Sequence, residues 1–466
     1  MSSERQRQAG DRLIRILAFT LAISVMSGTM FNLALPEIMR EYRLSFAQVS
    51  WIASAYLLIF AVGTVLYGKL ADSYKLKTLI TIGIILLSFG CLLGLTSRNF
   101  ETVLIGRMIQ AAGSAVIPAT AAILPVRYFP QERRGRALGI AMTGGAIGSA
   151  IGPAVAALLI SAVHWRYLFC VPLLTVLVLP YYRKYLIDEP LRRGRIDWLG
   201  GGLLAGTVAL LLLAITNRAW PPAAGSFVCF LLFAARIRTA KEPFMKPELF
   251  RSKGYGTGLT LAFLGTGVGY SLPFLSPQLL TQVQHLSAGW VGLVMVPAAT
   301  ATAALGRTGG KLADLQGNGF LFYAASLLFF TCFALLSSFA AAAPLGIAFF
   351  LIFGNIGQTF SYIALSNAIS RTLPKEQVGV GMGLLSMLNF IAGAVCSSLY
   401  STMVDRGAGS GWNPAQSHPA AFVYSNIYLL LALVVLLMSG IYYLQFNRKG
   451  RSVATTIADL PRRDLS

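Results

Sequence analysis

Long apolar stretches alternate with short polar ones along the whole chain. Breaking the sequence at charged and turn-forming residues leaves stretches of the length that a membrane-crossing helix needs, about 20 residues. The pattern therefore predicts 14 transmembrane helices, over residues 12–36, 47–68, 78–97, 102–126, 137–162, 165–182, 198–216, 222–236, 256–280, 287–306, 319–338, 343–370, 381–403 and 425–446.

Composition supports this class of protein. Of the 466 residues, 56% are hydrophobic and 12% are charged, whereas about 25% are charged in an ordinary soluble domain. A large soluble α-helical protein would not need apolar runs so long and so frequent. A transmembrane β-barrel would show alternating strands of about ten residues, which the sequence lacks. We therefore predict an all-α polytopic membrane protein.

The basic residues predict its orientation. With the N-terminus in the cytoplasm, 31 of the 38 Lys and Arg residues fall in inner segments, six fall outside and one, Arg107, lies within a span. Such an excess of Lys and Arg is typical of cytoplasmic loops. We expect both termini in the cytoplasm, with the net charge of +21 facing anionic lipid headgroups rather than a nucleic acid.

Other features narrow the possibilities. The apolar run that follows the basic N-terminus continues to about Pro36, which is too long for a cleaved signal peptide. The five cysteines lie in apolar runs without a CxxC pair, and the three histidines are scattered. We expect the cysteines to be core residues, and we expect no metal site and no cofactor.

The pentapeptide GKLAD occurs twice, at residues 68–72 and 310–314. Each copy is predicted to lie in a short inner loop after the second helix of a six-helix group. Internal repeats around a central site are typical of secondary transporters. We expect a first bundle over residues 1–196, an inserted helix pair over 197–250, a second bundle over 251–446 and a cytoplasmic tail over 447–466.

Further motifs occur in a recognisable order: FNLALPEI in span one, GKLADSYKLK after span two, RMIQAAGSAV in span four and GGAIGSAIGPAVAA in span five. Together they resemble the major facilitator superfamily, specifically its 14-helix drug:proton antiporter branch. The segments VHWRYLF and IRTAKEPFMKPELF are most similar to tetracycline-efflux members. The resemblance implies two six-helix bundles plus two inserted helices. The sequence departs from the motifs at Lys75, Ala111, Ala156 and Ala157, and its second GKLAD loop lacks the final basic residue.

The resemblance also implies roles for individual residues. The loop aspartate of this superfamily pairs with an arginine of the following inner loop and closes the cytoplasmic side. The alternative is a loop charge that only fixes topology. The candidate gating residues are Asp72, Lys69, Lys77, Arg136, Asp314 and Lys311.

Arg107 is the one charge deep within a span, so it must face a polar interior. It is expected to handle protons or substrate together with Gln110 and Asn32, or else to hydrogen-bond within the bundle. Gly148, Gly152 and Pro153 of the Gly-rich motif are expected to form a hinge, with plain close packing as the alternative. Polar and aromatic residues within other spans are candidates for the substrate cavity: Tyr56, Tyr270, Asn355, Gln358, Tyr362 and Asn389.

Carboxylates are missing where proton coupling would need them. None of the 17 acidic residues lies in the middle of a span. The resemblance matches the positions that carry acids in drug exporters to Ser27 or Gly28, Ser149 and about Gly393. One hypothesis is a proton antiporter that uses an edge acid such as Asp72, Asp314 or Asp405. The other is a facilitator or potential-driven exporter of a neutral or anionic metabolite or lipid.

No motif of a membrane enzyme is present in the sequence, and no loop is long enough for a receptor domain. The sequence therefore predicts a transporter that exports small amphipathic compounds, such as drugs or metabolites, by alternating access. We expect a monomer in the plasma (inner) membrane, with a small-molecule substrate and protons as partners.

Overall fold

The computed structural model describes residues 3–447, apart from positions 45, 187–196, 218, 241, 246, 287, 375 and 376. Throughout the described part the regular elements are helical. The membrane-crossing helices are α1 (Ser3–Glu41), α2 (Phe46–Ser73), α3 (Leu76–Leu95), α4 (Phe100–Tyr128), α5 (Arg134–Ala162), α6 (Trp165–Tyr185), α7 (Trp198–Asn217), α8 (Trp220–Thr239), α9 (Lys253–Gln282), α10 and α11 (together Ala288–Ser338), α12 (Pro344–Thr372), α13 (Val378–Arg406) and α14 (Phe422–Tyr442). A short helix, Glu248–Arg251, precedes α9.

The predicted number of 14 spans is confirmed in the described residues. α10 and α11 run together, and they are separated at Gly317, whose φ of 87° is one that glycine adopts most readily. The helices extend beyond the apolar runs, so that both copies of GKLAD are helical. The first copy lies near the end of α2, and the second lies in the last turns of α10. The expectation that these segments are loops was wrong, because hydrogen bonds of the helix continue into the polar boundary of the membrane.

Two helices are interrupted where proline removes a backbone donor. In α4 the helical stretches Phe100–Ser114 and Val116–Tyr128 meet at Ala115, three residues before Pro118. α6 alternates between 3₁₀ and α geometry, over Trp165–Phe169, Cys170–Leu173, Leu174–Val178 and Leu179–Tyr185.

The helices of the two predicted bundles meet along two interfaces. α2 packs against α13, and α5 packs against α10. In each case the second helix of one six-helix group contacts the fifth helix of the other group, so the two interfaces are equivalent by the internal repeat. We call them the α2–α13 interface and the α5–α10 interface.

The inserted hairpin of α7 and α8 makes the two interfaces different. α7 packs against both α2 and α13 and so lies beside the α2–α13 interface only.

Asp197 accepts a hydrogen bond from the backbone N–H of Gly200 at 3.0 Å and one from Arg236 of α8 at 3.1 Å. Burial acts to raise the pKa of the Asp197 carboxyl, but these donors outweigh it and hold the pKa below its usual value.

Small residues allow α1 and α5 to approach closely. A Cβ atom at Gly144 would meet the backbone of Ala18, one at Gly148 would meet the backbone of Ala22, and one at Gly152 would lie 2.5 Å from the Thr29 hydroxyl. These glycines recur every four residues and therefore occupy one face of α5.

A side chain at Gly148 should disrupt this contact. We expect Gly148→Val to lower the melting temperature of the detergent-solubilised protein by several degrees, because the neighbouring backbone of Ala22 cannot move aside without separating α1 from α5. Gly145→Val is the matched control, since a Cβ there has 3.7 Å to the nearest atom, a methyl of Leu21. Equal melting temperatures for the two variants would contradict the close packing.

Candidate functional site

The two GKLAD aspartates make equivalent contacts across the two interfaces. Asp72 accepts hydrogen bonds from the backbone N–H groups of Gly379 at 2.8 Å and Val380 at 2.9 Å. These are the second and third residues of α13. A helix N-terminus presents backbone N–H groups that lack a partner within the helix and attracts negative charge. The carboxylate therefore caps a helix of the other half of the chain. We call this contact the first latch.

Asp314 repeats the arrangement on the other interface. It accepts hydrogen bonds from the backbone N–H groups of Gly135 at 2.8 Å and Arg136 at 2.9 Å, the second and third residues of α5. Neither α5 nor α13 has a side-chain cap of its own. Each is capped instead by the aspartate from the opposite half. We call the Asp314 contact the second latch, and the side of the protein that carries both latches the GKLAD side.

Glycines bring the backbones together beside each latch. A Cβ at Gly68 would lie 2.6 Å from the carbonyl oxygen of Gly379, and a Cβ at Gly310 would lie 2.6 Å from the Cα of Arg136. No larger residue fits at such distances unless the helices separate. The repeated pentapeptide thus combines a glycine that permits contact with an aspartate that caps the contacted helix.

Other charged residues surround the latches unequally. Arg127, at the end of α4, lies 3.2 Å from Asp72 and donates a further hydrogen bond to the carbonyl of Ala71. The arginine that pairs with Asp72 is therefore Arg127, while Arg136 contacts Asp314 through its backbone N–H. The ammonium of Lys69 lies 5.8 Å from the centre of the Phe244 ring. Among the described contacts, the side chains of Lys77 and Lys311 make no hydrogen bond and no ion pair.

A second cluster lies within the first half of the chain, around Arg107. This side chain is fully buried and lies between two aromatic rings, 4.0 Å from the centre of Phe31 and 3.9 Å from the centre of Tyr56. It donates a hydrogen bond of 2.6 Å to Gln110, whose amide donates in turn to Ser27 at 3.2 Å. Within the described residues Arg107 has no ion pair, and its Nε has no hydrogen-bond partner.

The Arg107 cluster is therefore a buried cation held by aromatic faces and neutral polar groups. Cation–π contacts stabilise a desolvated guanidinium by about 2 kcal/mol or more. The cost of burying an isolated charge is larger than this stabilisation, and it falls as the charge gains hydrogen-bonding or charged partners. The arrangement can accept a negative or electron-rich group, because the cation already lacks a balancing carboxylate among its described neighbours.

Aromatic rings connect this cluster to the α2–α13 interface. Tyr56 stacks on Phe60 with ring centres 5.6 Å apart, and Phe60 meets Phe390 of α13 edge to face at 5.1 Å. Asn389, the preceding residue of α13, accepts a hydrogen bond of 2.8 Å from Thr266 of α9.

The remaining predicted cavity residues fall into separate environments. Tyr270 packs on Gly393, and Gln358 packs on Gly269, so α9 contacts both α13 and α12 through these pairs. Asn355 bonds to the carbonyl of Leu351 in its own helix at 2.9 Å. Tyr362 is half-buried, and Asn32 is exposed and does not reach the Arg107 cluster. Gly148 and Gly152 lie at the α1–α5 contact, while the side chain of Pro153 lies outside the described part of the structure.

Sequence reasoning missed the partners of the two aspartates. They belong to a second repeat, Gly-x-x-x-Gly, at residues 135–139 and 379–383. A Cβ at Gly139 would meet the carbonyl oxygen of Gly306, and a Cβ at Gly383 would lie 3.2 Å from the Cα of Gly68. A comparison of the two halves of the sequence could have found this repeat, since it starts the fifth helix of each half.

An all-helical membrane protein whose two halves meet through a repeated pair of contacts has the architecture of a transporter. The sequence model of the Major Facilitator Superfamily matches residues 17–397, and the chain belongs to that superfamily. It is therefore a multi-pass membrane protein that carries small molecules by secondary transport, and the prediction that it is not an enzyme is confirmed.

Relatives cover most of the chain at low identity. It is 24% identical over 421 residues to the riboflavin transporter RibZ of Clostridioides difficile, covering 88% of this chain and 91% of that protein. It is 23% identical over 420 residues to multidrug resistance protein 3 of Bacillus subtilis, covering 86% and 81%. Among solved structures, the human organic anion transporter MFSD10 matches with a TM-score of 0.65 and 17% identity, covering 91% of this chain and 99% of that one.

The first latch should hold the GKLAD side closed. We expect Asp72→Asn to increase the open population about 10-fold or more, because hydrogen bonds from N–H groups to a charged acceptor contribute roughly 1.5–3 kcal/mol each. Tyr74 and Lys253 are both exposed and can carry spin labels in a background without native cysteines. Double electron–electron resonance between the two labels would report the distance across this side.

Glu101→Gln provides the control, since Glu101 is an exposed acid at the start of α4, at the opposite end of the helix from Arg127. Asp314→Asn should have an effect of the same sign, and the double variant should open further than either single variant. An unchanged distance distribution in Asp72→Asn would contradict a gating role.

Proposed function

We propose that this protein exports small amphipathic compounds from the cytoplasm by alternating access. In this proposal both termini and the GKLAD side face the cytoplasm of a plasma (inner) membrane protein that acts as a monomer. The excess of basic residues in inner segments supports that orientation. Two bundles, residues 1–196 and 251–446, move relative to each other, with the helix pair 197–250 inserted between them and the tail 447–466 in the cytoplasm.

The observation that carries the proposal is the pair of latches. Both lie on one side of the protein, and each joins one half to the other by two hydrogen bonds to a carboxylate. Rupture of both would free the halves to separate on that side, as a change of access requires. Lys69, Lys77, Arg136 and Lys311 would act with the two aspartates by supplying the surrounding positive charge.

The Arg107 cluster is the proposed point of substrate contact in the first half. Two aromatic rings and a buried cation favour a flat, electron-rich compound with a neutral or negative charge. Gln110 would supply a hydrogen bond, and Asn32 would contact substrate nearer the opening. In the second half the proposed cavity is lined by Tyr270, Asn355, Gln358, Tyr362 and Asn389.

The names of the relatives agree with compounds of this kind. One is called a riboflavin transporter, another a multidrug resistance protein, and the solved structure an organic anion transporter. Riboflavin is a flat aromatic molecule, and many drugs are amphipathic. A tetracycline is a further candidate, on the likeness of two segments to tetracycline-efflux proteins.

Export is proposed to be coupled to proton uptake through an edge acid. Protonation of Asp72 or Asp314 would weaken the charge-assisted hydrogen bonds of a latch and so link protons to opening. Asp405 is a third candidate. Gly148, Gly152 and Pro153 would serve as the hinge along which α5 moves against α1.

A second candidate is a facilitator or potential-driven exporter of a neutral or anionic metabolite or lipid. The specific observation in its favour is Ser27, which is, with Gly28, one of the two positions that the resemblance to drug exporters matches to a carboxylate. Its hydroxyl accepts a hydrogen bond from Gln110, and thus belongs to the Arg107 cluster without adding a charge.

Transport by the purified protein in proteoliposomes separates the two candidates. We expect uptake of riboflavin, a cationic dye or an organic anion into inside-out vesicles to fall at least tenfold when the pH gradient is dissipated, since a proton supplies the driving force. Liposomes without protein control for leak. Transport that persists without a pH gradient would contradict antiport and support the facilitator.

The charge preference should depend on Arg107. We expect Arg107→Gln to weaken apparent affinity for an organic anion about 10-fold or more, while affinity for riboflavin changes less, because the variant removes a charge and keeps a hydrogen-bonding side chain. Arg166→Gln is the control, since that arginine also pairs with an aromatic ring but lies outside the Arg107 cluster. Equal losses for both compounds would argue against charge recognition by Arg107.

A further inference from the structure

Two cavities occupy equivalent positions on the two interfaces of the protein. One, of about 190 Å³, lies beside the α2–α13 interface, and the other, of about 310 Å³, lies beside the α5–α10 interface. The offset of 242 residues that relates Asp72 to Asp314 also relates Val62 to Ala304 and Val65 to Arg307. Val62 and Val65 line the smaller cavity, and Ala304 and Arg307 line the larger one.

The smaller cavity is bordered by the inserted hairpin. Its lining includes Gly201 and Leu204 of α7 together with Phe244, and no lining residue is charged. The inserted hairpin therefore covers this interface. Met387 of α13 completes the apolar wall.

The larger cavity has no such cover in the described part of the chain. Thr143 takes the place of Met387, and Arg307 takes the place of Val65. Arg136, which is equivalent to Val380, also lines the cavity, and Arg15 of α1 is the third arginine. Where the hairpin is absent, charged side chains thus replace apolar ones.

The charges of this cavity are unbalanced. Arg15, Arg136 and Arg307 have no ion-pair partner among the described residues. The one acid in the lining, Asp11, lies 3.8 Å from Arg133. Ile140, Ala303 and Ala304 supply an accessible apolar wall next to the arginines.

We propose that this cavity binds an anionic phospholipid, with the phosphate between Arg15, Arg136 and Arg307 and an acyl chain along Ile140, Ala303 and Ala304. Arginine forms paired hydrogen bonds with phosphate oxygens, and an apolar wall beside a basic cluster suits a lipid better than a free anion. The lipid would occupy the position at the α5–α10 interface that α7 occupies at the α2–α13 interface. Because Arg136 belongs to α5 and Arg307 to α10, the headgroup would also join the two halves beside the second latch.

Native mass spectrometry of the full-length protein in detergent tests the proposal, with phosphatidylglycerol or phosphatidylcholine added at equal concentration. We expect specific retention of phosphatidylglycerol, weakened about 10- to 30-fold in the double variant Arg15→Gln, Arg307→Gln. The matched control is Arg183→Gln, Arg238→Gln, which removes two exposed arginines elsewhere and should retain lipid as the unmodified protein does. Melting curves without added lipid would establish that both variants fold.

Several results would overturn the proposal. Equal retention of the two lipids, or equal loss in the two double variants, would show charge attraction without a site. Displacement of phosphatidylglycerol by millimolar inorganic phosphate would indicate a free-anion site. Retention that appears only after Asp459→Asn, Asp464→Asn would assign the cavity to the two carboxylates of the C-terminal tail of the chain itself.

Discussion

The organisation of this protein depends on one constraint, the need to satisfy the N-terminal N–H groups of a helix at the boundary of a membrane. α5 and α13 begin without caps of their own, and each receives a carboxylate from the opposite half of the chain. Because each cap comes from the opposite half of the chain, the stability of the first turn of the helix depends on the distance between the two halves. The same hydrogen bonds therefore complete a helix and hold the halves together, so separation of the halves exposes four backbone donors at once.

The repeat explains why the two interfaces are alike, and the insertion explains why they differ. Glycines at Gly68 and Gly310 let the backbones touch at both interfaces, so the capping carboxylates reach their donors. α7 then covers the α2–α13 interface only. On that side Asp72 gains a half-buried arginine, Arg127, whereas on the other side basic residues face an open cavity. Similar backbones thus carry different electrostatics, and the two latches need not be equally strong.

Much of the fold could be predicted, because apolar length and the positions of Lys and Arg are properties of the sequence itself. All 14 helices followed from them. The long-range partners did not, since periodicity says nothing about which helix starts beside Asp72. The expectation for Asp72 was an arginine of the following inner loop, without saying which one, and Arg127 lies there, while the backbone of Arg136 meets Asp314. Asn32 was expected beside Arg107 and is exposed instead, because its position on α1 follows from packing and not from polarity.

The Arg107 cluster gives the proposed transport its chemical logic. A guanidinium held by two rings and one amide is stabilised where it lies, but its charge is not cancelled by any described neighbour. Addition of a carboxylate at Ser27 would cancel it and make the cluster indifferent to substrate charge. The serine keeps the hydrogen-bond chain intact while leaving the positive potential available. In the proposed mechanism the substrate itself supplies the missing negative or electron-rich group. The buried cation is therefore stabilised most when substrate is bound.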